Sequence, residues 1–231
     1  MQRLNSAQLI LALDVDTLEE AGAFVNKLYP KIKIFKVGSH LFTAYGPKII
    51  ELLHKKGAEV FLDLKYFDIP NTVAGAVAAA VKLKVKILTL HISGGQEMLK
   101  AAVASATRQA KAIKTSRPLL IGVTVLTSQI AKPEKVLALA KQGLEAGLDG
   151  VVCSVQEALI LRKKIKMNFI MVTPGIRPDN LAKDDQKRTA SVKQAVKAGS
   201  NFLVIGRPIL KADNPIAKTD ELLGELNGAG N

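Results

Sequence analysis

Leu9-Ile-Leu-Ala-Leu-Asp-Val-Asp-Thr-Leu-Glu-Glu20 is the stretch on which the fold turns. Leu9–Val15 is short, apolar and rich in branched residues, as a buried parallel strand requires. Thr17 stands three residues before Glu20, the spacing of a capping box, so a helix is predicted to start at once. An open doubly wound sheet would place a glycine-rich turn between this strand and this helix, to admit a dinucleotide pyrophosphate. The turn here is Ala12-Leu-Asp-Val-Asp16, with no glycine and two carboxylates.

The same unit recurs along the chain. Further strands are predicted at Ile34–Gly38, Glu59–Lys65, Ile87–Ile92, Leu119–Leu126, Gly150–Val155, Phe169–Thr173 and Phe202–Ile205. Helical patterns are read at Thr17–Leu28, His40–Lys56, Thr72–Leu83, Gln96–Ile113 and Pro133–Ala146. Gly57, Gly147 and Gly199 each follow a helical pattern just before the next strand, where a left-handed residue closes a helix. Eight strand–helix units in 231 residues, without a linker or a shift in composition, predict one closed (β/α)₈ TIM barrel spanning residues 1–231. The open sheet is the alternative.

Composition narrows the function. With 48% hydrophobic residues, 4% aromatic and no Trp, the core is aliphatic, as helices stacked on a parallel sheet demand. No apolar run is long enough for a membrane span, and the start lacks a signal-peptide plan, so a cytoplasmic protein without a membrane partner is expected. The lone Cys153 excludes an internal disulfide framework and fits a reducing compartment. A net charge of +13 permits nucleic-acid binding. The lysines, however, are scattered over predicted helix faces, with no basic tail and no interleaved aromatics. Solvated helix surface is the preferred reading, with no nucleic-acid partner.

In such a barrel the chemistry sits at the carboxyl ends of the strands. Strand three and its exit read Phe61-Leu-Asp-Leu-Lys-Tyr-Phe-Asp-Ile-Pro-Asn-Thr72. Alternation points Asp63 and Lys65 to the same side, into apolar surroundings where charge is costly unless it is paired or has a task. A buried ion pair closing a strand would also account for them. Asp14, Lys36, Asp63, Lys65 and Asp68 nevertheless alternate in sign over successive strand ends, which reads as a site. His91 and Ser93 after strand four, Thr124, Thr127 and Ser128 after strand five, and Thr173 after strand seven share that rim. Gly206-Arg207 after strand eight lets the backbone approach an anion and adds a forked cation, as a phosphate pocket requires. Thr173–Arg188 is far longer than an ordinary strand-to-helix connection, carries Arg177 and Gln186, and is expected to act as a lid.

On these residues the chain resembles the orotidine 5′-phosphate decarboxylases. The likeness runs through Ala12-Leu-Asp14, Lys36-Val-Gly38, the ten-residue signature Asp63–Thr72, Val172-Thr-Pro-Gly-Ile-Arg177 and Gly206-Arg207. It implies a homodimer with shared active sites that converts orotidine 5′-monophosphate to uridine 5′-monophosphate and CO₂, with no cofactor and no metal. It further implies that Lys65 delivers a proton to C6 and that Asp63 faces the substrate carboxylate. Asp14 and Lys36 would hold ribose hydroxyls, with Asp68 and Thr72 reaching the neighbouring subunit's site. Thr127 would lie near the pyrimidine, and Arg177, Gln186, Gly206 and Arg207 would bind the phosphate and the lid. A metal-dependent sugar-phosphate decarboxylase or aldolase is the nearest rival. It shares an Asp-x-Lys strand, but strand two here carries Lys36 in place of a carboxylate.

Overall fold

In the computed structural model, residues 7–126, 129, 131–177 and 189–229 are described. Eight parallel strands close into a barrel in sequence order: β1 (Gln8–Ala12), β2 (Ile34–Gly38), β3 (Glu59–Tyr66), β4 (Ile87–His91), β5 (Leu119–Val123), β6 (Gly150–Val152), β7 (Ile170–Thr173) and β8 (Phe202–Ile205). β8 returns to β1 through Gln8 opposite Phe202 and Leu11 opposite Ile205, so no edge is left open. The predicted barrel is therefore observed, and the open sheet is excluded.

The helices alternate with the strands: α1 (Leu18–Leu28), α2 (Ser39–Tyr45), α3 (Pro47–Lys55), α4 (Pro70–Lys82), α5 (Gly95–Ala112), α6 (Pro133–Glu145), α7 (Val155–Lys164), α8 (Val192–Lys197), α9 (Arg207–Leu210) and α10 (Pro215–Ala229). The Thr17 hydroxyl accepts from Glu20 N while the Glu20 carboxylate accepts from Thr17 N, the reciprocal cap that the sequence predicts. Gly57, Gly147 and Gly199 have φ of 80°, 97° and 84°, closing their helices in the left-handed region. The helix predicted over His40–Lys56 is instead two helices. Gly46, at φ 55°, breaks it, and Pro47 opens the second. The strand predicted over Gly150–Val155 stops at Val152, because Ser154 and Glu157 form another capping box and start α7.

Two apolar layers hold the barrel. The larger lies between sheet and helices and gathers residues such as Leu11, Phe35, Leu62, Leu88, Leu120 and Leu203. The smaller fills the inside with Ile10, Ile34, Phe61, Ile87, Ile121, Ile170 and Phe202. With its lower levels plugged by branched side chains, the barrel has no pore, and the next inward residues along each strand form the floor of the mouth.

Candidate active site

Inward alternation carries each strand from its floor residue to a functional one. Ile10 and Ala12 lead to Asp14, Ile34 leads to Lys36, and Phe61 leads to Asp63. Register sets Lys36 level with Ala12 and Phe61, one inward step below Asp14 and Asp63, and its long side chain rises to meet both carboxylates. The Lys36 ammonium lies 3.2 Å from Asp14 Oδ1 and 3.8 Å from Asp63 Oδ2. Lys65 Nζ stands 2.8 Å from the same Asp63 Oδ2. Each carboxylate thus has an opposite charge beside it, and Asp63, with its side chain only 12% exposed, has two. Two glycines make room for this packing. A Cβ on Gly38 would come within 3.2 Å of Lys36 Nζ, and one on Gly206 within 3.3 Å of Asp14 Oδ2.

Lys65 does not get there by plain alternation. Leu62 pairs with Leu88, and the next registered pair is Tyr66 with Leu90, so Asp63, Leu64 and Lys65 together face Thr89 alone. This bulge is accompanied by a φ of 52° at Lys65, a left-handed backbone that a side chain with a Cβ adopts at a cost. Thr89 was not among the residues that the sequence reading singled out. Its signal was present, because Thr89 follows Ile87 by two residues on β4 and sets a hydroxyl one inward step above an apolar floor residue.

Around the charged group a cavity of about 260 Å³ opens, room for one small molecule, lined by Asp14, Lys36, Asp63, Lys65, Arg177, Gly206 and Arg207, with Val123, Val125, Leu126, Val152 and Ile176 as apolar wall. Both predicted phosphate arginines therefore share a cavity with the predicted proton donor. The neck of the long connection after β7 is clamped: Ala190 N donates to Gly175 O, and Arg177 N donates to Ala190 O. Residues 178–188, including Gln186 and the body of the predicted lid, lie outside the described residues, as do Thr127 and Ser128.

Asp68 and Thr72 stand apart from this group. Both are exposed beyond the end of β3, Asp68 accepting from Ile69 N and Thr72 lying in the first turn of α4. Neither lines the cavity of its own chain. Thr124 and Thr173 also stay out of it, bonding instead to Val152 O and Ser200 Oγ. His91 meets the exposed Phe67 ring edge-on, with centroids 5.7 Å apart. Burial, and then the Lys65 ammonium, hold its imidazole below the ordinary range, with Asp63 opposing. Cys153 is fully buried, and burial pushes its thiol far above the ordinary range, so it offers no nucleophile. Among the described residues no three His, Cys, Asp or Glu side chains are grouped as metal ligands, and no helix is long and apolar enough to cross a membrane.

Residues 7–222 match the model of the orotidine 5′-phosphate decarboxylase / HUMPS family. The orotidine 5′-phosphate decarboxylase of Coxiella burnetii is 46% identical over 220 residues, covering 90% of this chain and 92% of that protein. The enzyme of the same name from Vibrio cholerae is 44% identical over 234 residues, covering 96% and 100%. Among solved structures, orotidine 5′-phosphate decarboxylase from Lactobacillus acidophilus superposes with a TM-score of 0.84 at 37% identity, covering 96% of this chain and 99% of that one.

Proposed function

This chain belongs to the orotidine 5′-phosphate decarboxylase / HUMPS family, and on that premise we propose that it decarboxylates orotidine 5′-monophosphate to uridine 5′-monophosphate and CO₂, a step of pyrimidine nucleotide synthesis. The observation that carries this reading is the Lys36–Asp63–Lys65 contact inside a cavity that also holds Arg177 and Arg207. Two ammonium groups and a carboxylate face the place where a reacting ring would lie. Two guanidinium groups supply the forked donors that a phosphate takes.

The chemistry follows from that charge arrangement. The bond from C6 to the carboxylate breaks, its electron pair stays on C6, and CO₂ leaves. The carbanion lies in the ring plane, where the ring π system does not delocalise it. Lys65, an ammonium already fixed by Asp63, stabilises the developing charge and then gives C6 its proton, leaving uridine 5′-monophosphate and a neutral amine that regains a proton from solvent. Asp63 faces the substrate carboxylate, and the repulsion between them is relieved as CO₂ departs. Transition-state stabilisation by the prearranged ammonium is the larger effect. Lys36 and Asp14 hold ribose hydroxyls. Arg177, Gln186, Gly206 and Arg207 take the phosphate, whose binding energy draws the connection after β7 over the site. Thr127 borders the pyrimidine.

The same reading makes the protein a cytoplasmic homodimer that works without metal or organic cofactor. Asp68 and Thr72, exposed beside the apolar Phe67 and Ile69, would complete the site of a second copy. The rival metal-dependent sugar-phosphate chemistry needs a cation among carboxylates. Here the Lys36 ammonium occupies the ground between Asp14 and Asp63. Ultraviolet monitoring of orotidine 5′-monophosphate consumption is the direct test, run with and without exhaustive chelation. Steady loss of substrate absorbance in both arms is expected. No turnover, or turnover that returns only with a divalent cation, would overturn the proposal.

A further inference from the structure

A buried hydroxyl lies behind the charged group, and both of its hydrogen-bonding capacities are committed to that group. Thr89 has no exposed surface. Its Oγ1 donates to Asp63 Oδ1 at 2.9 Å and accepts from the Lys65 backbone N–H at 3.0 Å. The first bond occupies one carboxylate oxygen from beneath, leaving Oδ2 for Lys65 Nζ at 2.8 Å and Lys36 Nζ at 3.8 Å. The second bond pairs an amide that the bulge has taken out of register with β4.

Three considerations make this more than incidental packing. Thr89 is registered with Ile121 on β5 and lies two residues beyond Ile87, both in the apolar interior, so hydrophobic filling alone would favour a branched hydrocarbon here. Lys65 has a left-handed φ of 52°, which persists only where neighbouring bonds hold it. A hydroxyl both donates and accepts, so one side chain fixes the carboxylate rotation and the backbone that aims the lysine. No aliphatic isostere does either.

We propose that Thr89 is a positioning residue for the reaction: it locks the bulge at Lys65 and the rotation of Asp63, and so sets the line along which the Lys65 ammonium meets the reacting carbon. This rests on the proposed decarboxylation, and it adds a residue that touches no substrate. Thr89→Val removes the hydroxyl and keeps the volume, whereas Thr89→Ser keeps the hydroxyl and removes a methyl group.

Steady-state kinetics and amide exchange test it together. In Thr89→Val, kcat should fall about 10- to 100-fold, the loss expected when a reacting group is displaced by about 1 Å, with KM changed less than about threefold. Thr89→Ser should stay within about threefold of the parent in kcat. The Lys65 amide should exchange with solvent at least about tenfold faster in Thr89→Val than in the parent or in Thr89→Ser. If Thr89→Val does not fold, the ratio between Thr89→Ser and Thr89→Ala decides, and at least about tenfold in kcat is expected. Parent-like kcat in Thr89→Val, or equal losses in the valine and serine variants, would overturn the proposal. A parent protein inert towards orotidine 5′-monophosphate would instead remove the functional reading. The Lys65 amide would then still report whether the hydroxyl holds the bulge.

Discussion

At the scale of single residues, the demands on Lys65 conflict, and its surroundings show how the conflict is met. A proton donor must be charged, must lie near an apolar ring, and must face the reacting atom. In the proposed role, Asp63 sets a carboxylate 2.8 Å from the Lys65 ammonium, and the left-handed backbone accompanies a side chain that lines the cavity. Lys65→Ala should therefore lower kcat by at least about 10³-fold while the thermal transition remains, since it removes the charge that stabilises the carbanion together with the proton source. Near-normal turnover in that variant would end the mechanism. His91, two residues beyond Thr89, makes a second prediction. Its imidazole titrates below its usual value of 6.5 in the folded protein. The unfolded chain therefore binds the proton first as pH falls, and folding stability drops from about pH 6.5 downwards. His91→Gln should show a shallower loss of stability between neutral and mildly acidic pH than the parent. His54, held low by burial and by Lys84, contributes a slope of the same sign in both proteins. Identical slopes in urea titrations would refute the assignment to His91.

At the scale of elements, Gly150 on β6 has no room for a side chain beside β7. A Cβ added to Gly150 would run into the Ile170 carbonyl, which is main chain and cannot swing aside. Gly150→Ala should cost about 3 kcal/mol or more and lower the melting temperature by roughly 6–12 °C, measured by calorimetry or by circular dichroism. A shift under about 2 °C would mean that the two strands yield more easily than close packing allows. The elements also show what the sequence makes legible. Strand positions, helix-closing glycines and the Thr17 cap are local signals, governed by periodicity and by neighbouring side chains, and they are recovered, although the strands predicted over Leu9–Val15, Leu119–Leu126 and Gly150–Val155 each end three residues earlier. The split at Gly46 was equally local but hidden, because Leu41, Ile49, Ile50 and Leu53 keep a helical stripe across the break. The bulge in β3 is different in kind. No residue within Asp63–Tyr66 announces it, and the hydroxyl that pairs the displaced Lys65 amide belongs to Thr89, on another strand. For the same reason the charged residues of the site are evident from their types and spacing, whereas nothing local to Thr89 ties it to them.

At the scale of the whole molecule, the barrel leaves one predicted acid outside its own site. Asp68 follows the strand that carries Lys65, yet it stands exposed beyond the cavity, between Phe67, 62% exposed, and Ile69, 67% exposed. Large apolar side chains this open, flanking a carboxylate next to a strand end, are what a self-complementary face would present to a second copy. If two copies pair there, each Asp68 enters the partner's mouth, and every active site contains Lys65 from one chain and Asp68 from the other. Each single variant, Lys65→Ala or Asp68→Ala, then has two defective sites. A mixed dimer has one site carrying both defects and one carrying neither. Mixing the two inactive variants at equal concentration and letting subunits exchange should restore about a quarter of the parent activity per total protein: random pairing makes half the dimers mixed, and half the sites in a mixed dimer are intact. Sedimentation or native mass spectrometry of differently tagged variants verifies the exchange. A mixture that has exchanged completely and still shows no activity above its components would confine the site to a single chain, and Asp68 would lose its proposed role.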